Sequence, residues 1–192
     1  MLSVEEKADQ VFGLYERYGG EDYIGEAVSQ LEHATQCAML AEAAGAATEV
    51  VLGAFLHDIG HLVGQERGQQ LMVTGDTVLG ITNHEEIGRQ FLAQLGVPSS
   101  VTDIVAGHVN AKRYLTWMDP KYYQALSPAS KMTLEHQGGP MASEEAKNFE
   151  ESATFRQILQ MRQWDEGAKV ANMAIEPLDK YKKMFIDLMN SL

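Results

Sequence analysis

The sequence predicts an all-α protein, because apolar residues recur at helical intervals and alternating strand patterns are nearly absent. Between Glu26 and Ala44 the apolar positions share one helix face. The segment from Thr48 to Leu62 is apolar on most sides and predicts a buried helix closed by Gly60 and Gly64. We therefore expect a single helical bundle.

Capping and helix-breaking residues mark the later elements. Asn83 is suited to begin a helix that stops at Gly96, and Ser99 or Ser100 to begin the next. The remaining expectations are a loop-rich stretch at 120–140, a helical region with a break over 143–169, a helix over 176–192, and a long, mobile connection over 64–81.

Length and charge limit the possible partners. At 192 residues the chain suits one domain over residues 1–192. Its formal net charge of −12 would repel phosphate backbones and anionic membranes, so neither nucleic acid nor a membrane is expected as a partner. A single cysteine, Cys37, and an amino terminus without signal-peptide character favour a cytoplasmic location.

The placing of the histidines gives the first indication of chemistry. His57 and Asp58 are adjacent within an otherwise apolar segment. Burying a carboxylate is costly unless a partner compensates for its charge, and a metal ion is one such partner. A hydrogen-bonded His–Asp pair in the core is the alternative, and the dipeptide alone does not decide between them.

Further ligand-type residues lie on neighbouring predicted helices. They are three histidines and one aspartate: His33, His84, His108 and Asp165. Helices packed antiparallel would direct these side chains into one core, where helical proteins commonly build metal sites. With His57 and Asp58 the set exceeds what one tetrahedral zinc ion uses. It suits two first-row metal ions that share a carboxylate and keep positions open.

The order of these residues resembles the HD-domain metal-hydrolase superfamily, and the two histidines His84 and His108 resemble its dinuclear branch. The most similar group is that of the mixed-valent di-iron oxygenases, which includes 2-amino-1-hydroxyethylphosphonate dioxygenases. The stretches that carry the resemblance are 23–33, 56–61, 83–85, 107–114 and 161–169. The resemblance implies an HD-domain helical bundle with its metal site in the core.

The resemblance also implies a cofactor and a reaction. Two Fe ions, Fe(II) and Fe(III), would be held by His33, His57, Asp58 and Asp165 on one side and by His84 and His108 on the other, with Asp58 bridging. Tyr23 would ligate the second iron at rest and give way to substrate, with Glu26 moving alongside. With O2 as co-substrate, the family's reaction cleaves a C–P bond and yields glycine, or betaine from an N-methylated analogue, and phosphate.

Spacing indicates the type of substrate independently. His61, Lys112 and Arg162 each lie three or four residues from an expected ligand, so each shares a helix face with it. Converging on one site, they would bind a phosphonate or phosphate. Ser130 joins this group through the resemblance, and Glu26 would meet an ammonium. The expected substrate is thus a small zwitterionic phosphonate.

Several alternatives stay open. The two cations could be solvated surface charges, Glu26 a first-turn acid and Ser130 a turn residue. An HD-type phosphohydrolase acting on a small phosphate ester, or a non-catalytic HD module that binds a phosphate, would use a similar set of residues. The choice between primary amine and trimethylammonium, the metals and the oligomeric state are also open. Residues taken as surface or packing are His136, Tyr114, Trp117, Tyr122 and Tyr123.

Overall fold

The computed structural model describes residues 2–23 and 25–192, and these form helices with one small β-hairpin. In chain order the elements are α1 (Val4–Tyr18), α2 (Gln30–Ala43), α3 (Thr48–Leu56), α4 (Ile59–Glu66), β1 (Leu71–Thr74), β2 (Thr77–Ile81), α5 (His84–Gln94), α6 (Ser99–Met118), α7 (Pro120–Ala125), α8 (Pro128–His136), α9 (Ser143–Glu150), α10 (Phe155–Gly167) and α11 (Leu178–Asn190). The predicted helical fold is confirmed. Within the described ranges no helix is both long and apolar enough to cross a bilayer.

Helix α3 lies at the centre of the bundle and packs against α2, α6, α10 and α11. Its residues 51–56 are all buried, which explains why the sequence is apolar on every side of this helix. On the side facing α1 and α11, the Phe55 ring stacks on Tyr181 with 4.7 Å between centroids. Phe12 and Phe185 complete this aromatic cluster.

Helix α2 begins at Gln30, four residues later than its apolar pattern predicts. Ser29 and Glu32 form a capping box, in which each side chain accepts a hydrogen bond from the other's backbone N–H. Glu26 therefore lies in the preceding turn and not in a helix, so its interpretation as a first-turn acid is wrong. Gly25 has a φ of +75°, a conformation that glycine adopts without a steric penalty.

The predicted helix over 48–62 is divided at His57 and Asp58. Asp58 has φ −100° and ψ 9°, which ends α3 and starts α4. Gly60 and Gly64 do not end the helix, because α4 continues to Glu66. A Cβ at Gly60 would lie 1.8 Å from the His84 carbonyl oxygen, so this glycine permits the close approach of α4 to α5.

Two stretches expected to lack regular structure contain it. The connection over 64–81 includes the antiparallel hairpin β1–β2, with Val73 opposite Val78. The loop-rich prediction at 120–140 is wrong, because Pro120 and Pro128 each open a short helix, α7 or α8, and proline is favoured at that position. Exposed His136 ends α8, and its Nε2 lies 2.8 Å from the Thr74 hydroxyl of the hairpin.

Candidate metal centre

Six predicted ligand side chains meet in the interior of the bundle. They come from α2, the α3–α4 junction, α5, α6 and α10, and all are buried: His33, His57, Asp58, His84, His108 and Asp165. We call this set the metal ring. Its members are spread over more than half of the chain, so their meeting follows from helix packing and not from local sequence.

One side of the metal ring is formed by His33, His57 and Asp165. The Nε2 atoms of the two histidines are 3.2 Å apart. The Oδ1 atom of Asp165 is 3.3 Å from His33 Nε2 and 4.0 Å from His57 Nε2. Three ligand atoms therefore face a common point.

The other side is formed by His84 and His108, whose Nε2 atoms are 2.9 Å apart. Asp58 lies between the two sides. Its Oδ1 is 3.3 Å from both His84 Nε2 and His108 Nε2, whereas its Oδ2 is 3.2 Å from His57 Nε2. Each carboxylate oxygen thus faces a different pair of histidines.

Hydrogen bonds made by three of the histidine side chains indicate that the metal ring can bind a metal. Nδ1 lies 2.9 Å from the Ala168 carbonyl oxygen in His33, 2.8 Å from that of Ala54 in His57 and 2.7 Å from that of Val105 in His108. A carbonyl only accepts, so each Nδ1 carries a proton, and Nε2 is the ring atom that faces the centre and can give a lone pair to a metal. Converging lone pairs and carboxylates are the donor set of a first-row metal ion.

Both carboxylates are ionised in this environment. Burial alone would raise the pKa of Asp58, but His57 and hydrogen bonds from the neighbouring histidines hold it well below its usual range. Burial would also raise the pKa of Asp165, but the Arg162 charge together with His33 and His57 holds it well below its usual range. For His57, burial would lower the pKa, yet Asp58 raises it to about 9, so without a metal this ring also carries a proton on Nε2, which a bound metal ion would displace.

A small cavity of about 60 Å³ adjoins the metal ring. All six predicted substrate and gating residues line it: Tyr23, Glu26, His61, Lys112, Ser130 and Arg162. Asp58, His84, His108 and Asp165 line it as well. A molecule in the cavity would therefore contact metal ligands and hydrogen-bond donors at once.

Comparison with known proteins identifies the fold family. Residues 30–148 match the HD domain family. The chain belongs to the HD-domain family. Asp165 lies beyond the matched segment, yet the structure brings it to the HD-domain metal ring.

Three relatives align over most of the chain. A 1-hydroxy-2-(trimethylamino)ethylphosphonate dioxygenase (glycine-betaine-forming) from Leisingera caerulea is 42% identical over 84% of this chain and 79% of its own length. A hydroxymethylphosphonate dioxygenase from Gimesia maris is 36% identical over 92% and 85%. An uncharacterized protein of Acanthamoeba polyphaga mimivirus is 40% identical over 99% and 85%. The resemblance to HD-domain phosphonate dioxygenases is confirmed.

The two cationic side chains predicted to bind substrate are buried, so neither is a solvated surface charge. Lys112 and Arg162 are each 4% exposed. Lys112 donates to the Thr133 hydroxyl at 2.9 Å, and burial, aided by the Arg162 charge, lowers its pKa to about 7. Arg162 pairs with Asp165 and donates through Nε to the Tyr122 hydroxyl at 2.9 Å.

His61 presents a hydrogen-bond donor to the cavity. The Ile81 N–H donates to His61 Nδ1 at 3.0 Å, so the proton of the neutral ring is on Nε2. Burial, together with the His84 charge, lowers the pKa of His61 well below its usual value. The ring stacks on His84 with 3.9 Å between centroids, which ties its orientation to a metal ligand.

Tyr23 and Ser130 also line the cavity. The Tyr23 ring stacks on His33 at 3.9 Å with 13° between planes, and burial followed by the Asp58 charge raises the pKa of its phenol. Ser130 lies near the start of α8, where its N–H donates to Ser127. Its side chain is half-buried and lines the cavity.

Sequence reasoning missed several residues of this site. Lys169 and Thr133 line the cavity, and Lys169 pairs with Glu26 at 2.7 Å. Tyr122, assigned to packing, binds Arg162. The spacing argument searched only positions one helical turn from an expected ligand, and Thr133 and Tyr122 lie on helices without ligands.

Proposed function

We propose that this chain uses two iron ions, Fe(II) and Fe(III), and O2 to cleave the C–P bond of a small hydroxylated aminoalkylphosphonate. The carbon skeleton would leave as glycine, or as betaine from an N-methylated substrate, together with phosphate. One observation carries the proposal. Asp58 directs one oxygen to each of two histidine pairs, beside a cavity lined by Lys112 and Arg162, in a chain with two relatives named phosphonate dioxygenases.

The metal ring divides naturally between two ions. His33, His57 and Asp165 would hold one, His84 and His108 the other, and Asp58 would contact both. Bound there, the iron pair would supply the one-electron chemistry with oxygen that the side chains lack. The protein fixes the ligands and shields the centre from bulk water.

The cavity residues would bind the phosphonate. Lys112, Arg162 and His61 line one small cavity, and charge-assisted hydrogen bonds from such donors to phosphonate oxygens are strong. Ser130, which lines the same cavity, would add a hydroxyl donor. In a protein of net charge −12, this local excess of donors is what would select an anion.

Tyr23 would cover the metal ring until substrate enters. Its ring lies flat on His33, so an incoming phosphonate has to displace it. Glu26 would meet the substrate's ammonium at the far end of the cavity. Its backbone N–H donates to the Tyr23 carbonyl at 2.9 Å, so the two residues are expected to move together.

The deciding experiment measures oxygen consumption and phosphate release together. Iron-loaded protein is given 2-amino-1-hydroxyethylphosphonate with air and under nitrogen. The proposal expects one O2 consumed per phosphate released, and no phosphate without oxygen. Phosphate released under nitrogen from a phosphate ester such as phosphoethanolamine, with none released from the phosphonate in air, would instead show the metal-dependent phosphohydrolase.

A further inference from the structure

The carboxylate expected to bind a substrate ammonium already has a cation beside it. Lys169 Nζ donates to Glu26 Oε1 at 2.7 Å. The two side chains are only 18% and 15% exposed, so solvent screens the pair less than it screens a surface pair. Both residues line the cavity, which makes the pair part of its wall.

The backbone at Lys169 is held on both sides, although it lies beyond the end of α10. The Ala168 carbonyl accepts from His33. Val170 exchanges two hydrogen bonds with the Gln36 side chain, each 3.0 Å long. Because these anchors fix the segment to α2, the lysine is aimed at Glu26 and is not a randomly placed surface charge.

The Lys169 ammonium also takes the position that a ligand cation would take. It lies 6.0 Å from the centroid of the Tyr23 ring, within reach of a cation–π contact. A carboxylate and an aromatic face together form an environment that favours an ammonium group. Lys169 thus occupies the subsite that is expected to bind the ammonium group of the substrate.

We propose that Lys169 is a specificity-determining residue that competes with the substrate's ammonium for Glu26. This inference rests on the proposed function and refines its substrate class. A zwitterionic phosphonate must displace Lys169 before its ammonium reaches the carboxylate. A hydroxyphosphonate without an ammonium leaves the pair intact and benefits from the Lys169 charge, so the site accepts both kinds.

The test compares two substrates and two unreactive ligands. Oxygen-dependent phosphate release gives kcat/KM for 2-amino-1-hydroxyethylphosphonate and for hydroxymethylphosphonate. Under nitrogen, calorimetry gives the affinities for 2-aminoethylphosphonate and ethylphosphonate, which lack the hydroxyl group. In K169M the preference for the ammonium-bearing member of each pair should rise about tenfold, because one partly buried charge pair is freed.

Two further variants fix the direction of the effect. Lys169→Arg keeps the charge and should retain the wild-type preference. Glu26→Gln removes the carboxylate and should shift the preference toward the ligand without an ammonium, which tests the proposal even if K169M does not fold. Lys180→Met is the matched control. It breaks a similar lysine–glutamate pair outside the cavity, in which Lys180 lies 2.8 Å from Glu42, and it should change neither preference.

The inference is overturned if K169M alters both members of each pair by the same factor. Lys169 would then act only as a general cation of the cavity. Failure of the proposed function is a separate outcome, in which wild-type protein releases no phosphate from either substrate in air. The affinities measured under nitrogen still test the role of Lys169 in that case.

Discussion

The orientation of three of the four imidazoles in the metal ring is set by a carbonyl oxygen. For His57 and His108 that oxygen lies three residues earlier in the chain, on Ala54 and Val105. Helix geometry alone therefore fixes the tautomer that presents Nε2 to a metal. His84 differs, because in the part of the chain that the structure describes its Nδ1 has no hydrogen-bond partner.

Asp58→Ala is expected to empty the whole metal ring. Asp58 is the one carboxylate within 3.3 Å of ligand atoms on both sides, so its loss removes a ligand from each ion at once. Metal analysis of the purified variant should find neither iron. His84→Ala, which affects one side, should retain about half of the metal, and a full metal content in Asp58→Ala would rule out the bridging role.

Glu26→Ala is expected to raise KM for the aminophosphonate while the iron content stays at the wild-type value. Glu26 pairs with Lys169 and not with any member of the metal ring, so its removal affects the cavity only. Steady-state kinetics and metal analysis on the same preparation check this prediction. Loss of iron in Glu26→Ala would show that the residue supports the metals instead.

Substrate affinity is expected to fall as pH rises above about 7. Burial lowers the pKa of Lys112 to about 7, so its amine is cationic below that pH and neutral above it. Because a phosphonate needs the cationic form, KM should rise up to about tenfold per pH unit above the pKa. Lys112→Arg stays charged, so its KM should change less with pH than that of the wild type. The titration of the substrate itself affects both enzymes equally and cannot account for the difference.

At the scale of elements, the sequence predicted the helices that carry the metal ring but not their ends. The apolar pattern of α3 and α4 is continuous, whereas the break at Asp58 follows from tertiary contacts with His84 and His108. The hairpin has only four and five residues per strand, too short for a clear alternation. Lys169 lies four residues after Asp165 and within the predicted helical region over 143–169, so the spacing argument could have identified it, although the structure places it beyond the end of α10.

Gly60→Ala is expected to destabilise the fold even though alanine favours helices. The added Cβ would overlap the His84 carbonyl and push α5 away from α4. Such overpacking costs about 3 kcal/mol, and at this chain length it lowers the melting temperature by roughly 5–10 °C. Gly20→Ala, whose Cβ would meet nothing within 4 Å, is the control and should stay within about 0.5 kcal/mol of wild type.

The shift of α5 should also be visible in the metal content. Because His84 begins α5, Gly60→Ala should weaken the His84–His108 side more than the other. Metal titration followed by spectroscopy distinguishes the two sides. Equal weakening of both would mean that α5 moves together with the rest of the bundle.

The whole molecule separates its hydrophobic core from its polar centre. The aromatic cluster of Phe12, Phe55 and Tyr181 packs α1, α3 and α11 together, whereas the metal ring joins α2, α5, α6 and α10 around the end of α3. Charge is unevenly distributed as well. The chain carries −12 overall, whereas in the cavity Lys112, Arg162 and Lys169 balance Glu26, Asp58 and Asp165, so any attraction for an anionic substrate is short-ranged.

Metal is therefore expected to stabilise the entire fold and not only the active site. The six ligands come from five regions of the chain, and unfolding disperses them, so a metal binds the native state far better than the unfolded one. A hundredfold excess of free metal over Kd adds about 2.7 kcal/mol, or roughly 5–10 °C in melting temperature for a chain of this size. Calorimetry of chelated protein, before and after anaerobic addition of ferrous ion, should show that increase. The increase in melting temperature should be smaller in His84→Ala and as large as in wild type in Lys180→Met.

Equal melting temperatures for chelated and loaded protein, with two ions per chain found by metal analysis, would mean that the ligands are already held in place by packing alone.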